Sequence, residues 1–212
     1  LVSFKKSNKY SQVTKILKKV LNENNDIIKS LGQNYKYSFK KKQIKKFKKN
    51  LNFRIIGMGG SSLGAKAIYN FLKHKIKKNF LFINNINNNS MNKKESKILN
   101  IIISKSGNTL ETISNSNILI NKNDKNIFIT ENKNSYLINL ANKLKADIVE
   151  HNNFIGGRYS VLSEVGMLPA ELVGLKPEKF KQLNFLIKNK KFIDSLIKNV
   201  ASTINLIKNK KN

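Results

Sequence analysis

Short apolar segments alternate with helical patterns through the middle of the sequence, and this alternation constrains the fold more than any other feature. The apolar segments lie at 53–56, 80–83, 99–103, 127–129 and 146–149. Helix-compatible stretches follow at 62–78, 91–98, 109–121 and 134–144. Because strands that alternate with helices build a parallel sheet covered on both faces, we predict an α/β fold. Its form is a three-layer αβα sandwich with a five-stranded parallel sheet and flanking helices.

Helical patterns also occupy both ends of the chain. Apolar residues recur at helical spacing over 9–30, 159–174 and 193–207. Pro177 is placed to open a further helix. The lysine-rich stretch at 36–50 contains no acidic residue and predicts a solvated helix or linker.

These patterns divide the chain into three parts. Residues 1–48 form an N-terminal helical segment, and residues 49–155 form the α/β domain. Residues 156–212 begin with two glycines and an arginine and continue as helices.

The charge of the chain is strongly positive. It carries 41 basic and 12 acidic residues, a formal net charge of +29, and its arginines are Arg54 and Arg158. The other basic residues are lysines, whose codons are rich in A and T, like those of the abundant asparagine and isoleucine. A nucleic-acid-binding protein would combine arginine with aromatic residues, so we expect neither a nucleic-acid nor a membrane partner. Steep salt-dependent binding to any DNA would distinguish the nucleic-acid alternative.

Cysteine and histidine usage excludes several classes of site. The chain has no cysteine and two histidines, which excludes a disulfide framework and metal sites rich in cysteine or histidine. It has no apolar run of roughly eighteen residues and no apolar signal-peptide core. These features predict a cytoplasmic protein without a metal ion.

A glycine-rich segment, residues 57–64, directly follows the first apolar run, and we name it the glycine loop. The helix that it opens offers free N–H groups and a positive dipole end to an anion. Gly59 and Gly60 allow the backbone to approach a ligand closely, and Ser61 adds a hydroxyl. The structural alternative for this loop is a tight turn with a serine cap.

Two nucleotide-binding patterns are absent from the glycine loop. A Walker A loop needs a lysine directly after its last glycine, but Ala65 follows Gly64 and Lys66 comes one position late. A dinucleotide site needs an acidic residue about 20 residues further on, where asparagines stand instead. We therefore expect no cofactor.

A second polar segment, residues 104–109, follows the third apolar run, and we name it the serine loop. Asn108 and Glu111 fit a capping box for the helix that follows. A cap needs only one such side chain, and three further hydroxyl groups exceed that need: Ser104, Ser106 and Thr109. A phosphate would use all of them, with Lys105 either as a nearby point charge or facing solvent.

A third motif, Ile155-Gly156-Gly157-Arg158-Tyr159-Ser160, follows the last apolar run. The glycine and serine loops resemble those of the sugar isomerase (SIS) domain family. The third motif resembles the Gly-Gly-Arg-Tyr-Ser signature of the glucose-6-phosphate isomerases. The resemblance covers about residues 50–175. Ser62 stands where these enzymes usually have aspartate, and the Ser-Gly-Asn-Thr form of the serine loop is closer to other SIS proteins and to some bacterial isomerases.

The resemblance implies a SIS-type, flavodoxin-like fold and the interconversion of glucose 6-phosphate and fructose 6-phosphate through an enediolate. The residues that it implies for binding the substrate phosphate are Ser61, Ser104, Lys105, Ser106 and Thr109. Those whose backbone would shape the substrate loops are Gly59, Gly60, Gly156 and Gly157. Arg158 would be catalytic, because an arginine stays charged and presents a rigid fork of donors to a developing oxyanion.

The resemblance also implies that part of the chemistry lies elsewhere. The catalytic glutamate and histidine of these isomerases belong to a later segment, and no motif after Arg158 resembles theirs. We therefore expect a truncated N-terminal part, inactive alone, that leads to a second SIS domain, and a homodimer in the full-length enzyme. We expect Glu164 and Glu171 to be exposed helix acids and His74 to lie at the surface, and no motif marks His151 as catalytic.

Two other functions within the same fold stay open. One is a non-catalytic SIS module that binds a sugar phosphate as a regulator; the arginine at 158 after two glycines and the absence of a helix-turn-helix domain argue against it. The other is a related isomerase that also accepts mannose 6-phosphate, which the residues of a C-terminal half would distinguish.

Overall fold

The five predicted strands are present and form one parallel sheet. The structure, a computed structural model, describes residues 6–86, 98–182 and 185–209. The strands are β1 Asn52–Ile56, β2 Asn79–Ile83, β3 Ile98–Ile103, β4 Lys125–Thr130 and β5 Asp147–Glu150. Their order across the sheet is β2-β1-β3-β4-β5, and every neighbouring pair is parallel. The prediction of a five-stranded parallel sheet is confirmed.

Helices follow β1, β3, β4 and β5 and occupy both ends of the described chain. They are α1 Tyr10–Asn22, α2 Asp26–Leu31, α3 Lys41–Lys45, α4 Gly60–Leu72, α5 Leu110–Leu119, α6 Tyr136–Lys143, α7 Glu164–Leu172, α8 Pro177–Phe180, α9 Phe185–Lys188 and α10 Lys190–Lys208. A 3₁₀ segment, Lys73–Lys75, extends α4, and another, Gly157–Leu162, leads into α7. Of the helix predicted at 91–98, residues 91–97 lie outside the described residues and Ile98 begins β3.

The sheet separates two hydrophobic cores, as a three-layer sandwich requires. On one face the strands pack against α4 and α7, through buried residues that include Phe53, Ile55, Ile101, Ala65 and Leu168. On the other face they pack against α5 and α6, through residues that include Ile56, Ile102, Phe128, Leu119 and Leu137. Successive strand residues point to opposite faces, so strands covered on both sides are continuously apolar.

Arg54 belongs to the buried interior of the sheet. Its Nη1 donates to Asn100 Oδ1 and to Leu119 O, both at 3.2 Å. Asn100, its partner in the register of β1 and β3, donates in turn to Asn126 Oδ1 at 2.9 Å on β4. Buried polar groups are stable only when they are hydrogen-bonded, so Arg54 has a structural role within the sheet.

The chain divides into two compact units. Residues 34–180 form the α/β unit, and Leu1–Gln33 with Lys181–Asn212 form the helical unit. In the helical unit, α1 and α10 meet at a small core of Val13, Ile197 and Ala201. The predicted boundaries after residues 48 and 155 do not coincide with these units. Residues 34–48 group with the sheet because they bury side chains in its core, and residues 156–180 group with it because they include α7.

Two predicted helices are each divided by a local cap. The helix predicted over 9–30 is interrupted before α2, where Asn25 Oδ1 accepts from Ile27 N at 2.8 Å. The helix predicted over 159–174 is a 3₁₀ segment followed by α7, whose N-cap Ser163 accepts from Val165 N. A side-chain cap satisfies the free N–H groups of a new helix start, and apolar periodicity alone does not detect it.

The lysine-rich stretch at 36–50 differs in part from the predicted solvated helix or linker. It contains the short helix α3, and its lysines are mostly exposed. Three of its apolar side chains are buried in the core of the α/β unit: Phe39, Ile44 and Phe47. The stretch is therefore a covering element of the sheet.

Candidate active site

The three sequence motifs lie at the carboxyl end of the parallel sheet. The glycine loop follows β1, the serine loop follows β3, and the segment with Arg158 follows β5. Strands β1 and β3 are neighbours, and the strand order reverses between them, with α4 and α5 on opposite faces. Ligands of open α/β sheets bind at this kind of reversal, so the topology points to the glycine and serine loops.

The glycine loop turns sharply from β1 into α4. Gly59 has φ 54° and ψ −123°, a backbone conformation that glycine adopts without a steric penalty. The turn starts the thirteen-residue helix α4 at Gly60, which brings its first N–H groups to the end of the sheet. Ser61 is half-buried there, whereas Ser62 is buried, with its hydroxyl 3.4 Å from Gly59 O.

The glycine loop and the segment with Arg158 touch through their backbones. A Cβ atom added at Gly60 would lie 2.4 Å from the carbonyl oxygen and 2.6 Å from the Cα of Gly157. The Ser160 hydroxyl lies 3.1 Å from Gly60 O and 2.9 Å from Gly157 O, within reach to donate to either. No larger residue than glycine fits at position 60, because atoms this close would overlap.

Arg158 lies beside this contact with its side chain exposed. A cavity of about 440 Å³ is lined by Arg158 together with Gly60, Leu63 and Ser160, among others. This volume is within the range of small-molecule sites. The arrangement places a permanent positive charge next to the N-terminus of α4.

The serine loop brings its hydroxyls together within one turn. Ser104 Oγ and Thr109 Oγ1 are 2.8 Å apart, while the exposed Ser106 accepts from Asn108 N at 3.2 Å. The strand that leads into this loop packs on the glycine loop, since a Cβ atom at Gly57 would lie 2.8 Å from the carbonyl oxygen of Ile103, the last residue of β3. The serine loop therefore begins beside the glycine loop.

Asn108 does not form the predicted capping box with Glu111. Its Oδ1 accepts from Tyr136 N at 2.9 Å, at the start of α6, and α5 begins after Thr109 without a side-chain cap. Gly107 O accepts from Leu137 N at 3.1 Å. Asn108 thus ties the serine loop to the connection between β4 and α6, because tertiary packing brings the N–H of Tyr136 within its reach.

Lys105 is paired with a glutamate that the sequence reasoning missed. Lys105 Nζ lies 3.7 Å from Glu131 Oε1, and Lys133 Nζ lies 2.5 Å from Glu131 Oε2. The hydrogen bond from Lys133 and the charges of both lysines lower the pKa of Glu131, although burial opposes this shift. Glu131 directly follows β4. Its place after a predicted strand, at the edge of the sheet where the serine loop also lies, is the feature of the sequence that could have identified it.

The exposure of four other titratable residues bears on the predictions made from the sequence. The prediction that Glu164 and Glu171 are exposed is wrong: both are buried, because every residue of α7 is buried. Glu171 lies 3.2 Å from Lys48 Nζ. His74 is exposed as predicted. His151 is buried, which lowers its pKa, and its Nδ1 lies 3.0 Å from Asn152 O.

Within residues 6–86, 98–182 and 185–209, no three or more His, Cys, Asp and Glu side chains are grouped as a metal site. Over the same ranges, none of the helices combines the length and the apolar composition needed to span a bilayer.

The family model of phosphoglucose isomerase matches residues 6–207. The chain belongs to the phosphoglucose isomerase family. The glucose-6-phosphate isomerase of Borrelia garinii subsp. bavariensis is 42% identical over 143 residues, 58% of this chain and 26% of that protein. The glucose-6-phosphate isomerase of Acholeplasma laidlawii is 36% identical over 148 residues, 59% of this chain and 34% of that protein. This family member therefore spans about a quarter to a third of the length of these curated relatives.

Solved structures share the fold of this phosphoglucose isomerase family member. A hypothetical protein from Thermus thermophilus has a TM-score of 0.66 and 19% identity, covering 90% of this chain and 51% of its own. The tagatose-6-phosphate ketose/aldose isomerase of Escherichia coli has a TM-score of 0.52 and 17% identity, covering 68% of this chain and 45% of its own. Both matches support the αβα sandwich.

Proposed function

We propose that the protein to which this chain belongs interconverts glucose 6-phosphate and fructose 6-phosphate as an aldose–ketose isomerase, through an enediolate. The observation that carries the proposal is the packing of Gly60 on Gly157, which holds Arg158 beside the N-terminus of α4. Membership of the phosphoglucose isomerase family supports the choice of reaction. The names of the relatives support the choice of sugar phosphates.

The substrate phosphate would bind between the glycine loop and the serine loop. Its oxygens would accept hydrogen bonds from the N–H groups at the start of α4 and from hydroxyls of both loops: Ser61, Ser104, Ser106 and Thr109. Lys105 would add a positive charge that it now shares with Glu131. A dianion in this position gains from the helix dipole and from charge-assisted hydrogen bonds.

Arg158 would stabilise the oxyanion of the enediolate. Negative charge develops on the sugar oxygens when a proton moves between C1 and C2, and a fixed guanidinium beside them lowers the barrier. Gly156 and Gly157 leave room for the sugar to approach the backbone next to Arg158. The glycine loop would contact the phosphate of the substrate, and Arg158 beside it would contact the sugar.

The proton-transferring base would come from a part of the protein outside these 212 residues. Glu131 is a weak candidate base, because its ion pairs lower its pKa and a weaker base removes a carbon-bound proton less effectively. Glu164 is fully buried. We therefore propose that a glutamate of a second SIS domain completes the site in a cytoplasmic homodimer, and that this chain alone is inactive.

Calorimetric titration of the purified chain tests the phosphate site. We expect glucose 6-phosphate and fructose 6-phosphate to bind and free glucose not to bind. Ser106→Ala should weaken phosphosugar binding about ten-fold, because it removes a hydrogen bond to a charged group. Ser202→Ala, in α10 of the helical unit, is the matched control and should bind as the wild type does.

Three results would contradict this assignment. Glucose could bind as tightly as its phosphate, Ser106→Ala could leave the affinity unchanged, or a folded wild-type chain could bind no phosphosugar. In a chain that also carries the proposed second domain, Arg158→Lys should lower kcat/KM, because the guanidinium would contact the bound sugar and also stabilise the oxyanion of the transition state.

A further inference from the structure

A short segment before α3, residues 35–39, is fixed in place by its aromatic rings. The rings of Tyr37 and Phe39 are stacked with centroids 4.9 Å apart, and the ring of Tyr35 meets that of Tyr37 edge-on at 5.4 Å. Phe39 belongs to the core under the sheet. A segment anchored in this way can hold polar groups at defined positions.

The segment binds the residue at which the connection from β5 to α7 ends. Glu164, the first residue of α7, has no exposed surface. Its carboxylate accepts from Ser38 N at 2.9 Å and from the Tyr35 hydroxyl, which lies 3.0 Å from both of its oxygens. A buried carboxylate is stable only with such partners, so these bonds fix the start of α7 against residues 35–38.

The same segment binds the residues at which that connection begins. Asn152 Nδ2 donates to the Tyr35 hydroxyl at 2.6 Å. The Ser38 hydroxyl donates to the carbonyl oxygen of Glu150, the last residue of β5, also at 2.6 Å. The Tyr35 hydroxyl therefore donates to Glu164 and accepts from Asn152, and it bridges the two ends of the connection at 151–163.

The middle of the connection has little freedom between these two anchors. The 3₁₀ segment Gly157–Leu162 lies between α4 and α7. A Cβ atom at Gly166 would lie 2.1 Å from the carbonyl oxygen of Val161, and one at Gly64 would lie 3.0 Å from the Val161 Cβ. Because a packed segment transmits displacements of its ends, a shift of residue 152 or of residue 164 would move Arg158.

We propose that Tyr35 and Glu164 are positioning residues for Arg158. Together with Ser38 and Asn152 they form a hydrogen-bonded latch, which joins the two ends of the connection at 151–163 and keeps Arg158 beside the glycine loop. This proposal rests on the proposed function only for the role of Arg158 in binding the substrate. Local opening of the connection at 151–163 is measurable without any ligand.

The two arginines of the chain provide a direct test. An arginine-specific protease cuts either after Arg54, which is buried in β1, or after Arg158, which is exposed. Cleavage of the native chain at Arg158 therefore reports local opening of the connection. Tyr35→Phe removes the bridging hydroxyl and keeps the ring, and we expect it to speed cleavage at Arg158 about five-fold or more.

A matched control comes from the helical unit. The Tyr10 hydroxyl donates to Asp194 Oδ1 at 2.6 Å, so Tyr10→Phe also removes a hydrogen bond between a tyrosine and a carboxylate. It should leave cleavage at Arg158 unchanged. Glu164→Ala should speed this cleavage, and Glu164→Gln, which keeps an acceptor oxygen, should restore most of the wild-type resistance.

Two proteolysis results would overturn the latch. One is equal cleavage at Arg158 in the wild type and in Tyr35→Phe. The other is a parallel rise of cleavage at Arg54 and Arg158, since that reports general unfolding. The predicted result is a rise at Arg158 alone.

Titration with fructose 6-phosphate separates the latch from the proposed function. Tyr35→Phe should weaken binding about three-fold or more, and it should add no further loss in an Arg158→Lys background, because the two residues act as one unit. Additive losses would contradict the link to Arg158. If the wild type binds no phosphosugar while Tyr35→Phe still opens the connection, the proposed function fails and the latch stands.

Discussion

The glycine loop and the serine loop lie at the ends of neighbouring strands, but different interactions hold them. The glycine loop is held by close steric packing, because its backbone contacts Gly157 and Ile103 directly. The serine loop has one tightly packed position, Gly107, and its polar side chains are held by hydrogen bonds, such as those between Ser104 and Thr109 and between Asn108 and Tyr136. One added carbon is enough to break a steric fit, whereas each hydrogen bond contributes about 1 kcal/mol. The packed glycine at position 60 and the hydroxyls of the serine loop should therefore respond differently to small substitutions.

The largest effect is expected from Gly60→Ala in the glycine loop. The new methyl group would overlap the backbone of Gly157. The backbone of one of the two segments must shift to make room for it. We expect a loss of about 2–3 kcal/mol in the free energy of unfolding, measured by urea denaturation, together with loss of phosphosugar binding.

Gly156→Ala provides the steric control for that substitution. Gly156 has φ −73°, and the nearest atom to a Cβ there is Tyr159 Cδ2 at 3.9 Å. Its stability should stay within about 0.5 kcal/mol of the wild type. If Gly60→Ala is as well tolerated as Gly156→Ala, the glycine loop does not depend on shape.

A smaller effect is expected from Thr109→Val in the serine loop. The substitution preserves side-chain shape and removes the hydroxyl that pairs with Ser104. Stability should fall by about 1 kcal/mol, and phosphosugar affinity should fall with it. Thr203→Val, which removes a hydroxyl bonded to Asn199 O at 3.0 Å on α10, should lower stability alone. A loss at Thr109 as large as that at Gly60 would remove the contrast between the loops.

The smallest effect is the pH dependence that Glu131 adds beside the serine loop. Its pKa in the folded chain lies below the ordinary value of 4.5, so its ion pairs stabilise the fold above that pH. This stabilisation is lost as the pH falls from 4.5 through the lower folded pKa. Because Lys105 and Lys133 are partly exposed, we expect only about 0.5 kcal/mol.

Thermal unfolding between about pH 6 and pH 3 measures this contribution. Glu131→Gln should be slightly less stable than the wild type at the upper end of this range, and the two curves should converge towards the lower end. Parallel curves across the whole range would mean that the ion pairs of Glu131 do not stabilise the loop.

The strands were predictable because burial on both faces leaves a continuous apolar run in the sequence. Each observed strand, from Asn52–Ile56 to Asp147–Glu150, lies within two residues of its predicted position. The helices were less predictable, because a cap such as Asn25 or Ser163 divides one apolar pattern into two elements. The buried state of Glu164 was not predictable, since its partners Tyr35 and Ser38 are distant in sequence.

The sheet, the motifs and the edge at which they meet are encoded in the sequence, because the carboxyl ends of parallel strands share one side of a sheet. Tertiary packing sets which groups touch at that edge. Ser160 and Gly60 are 100 positions apart, Tyr35 and Glu164 are 129 apart, and Asn108 and Tyr136 are 28 apart. No local pattern encodes these pairs, because each depends on how separate elements pack and on which buried polar group then needs a partner.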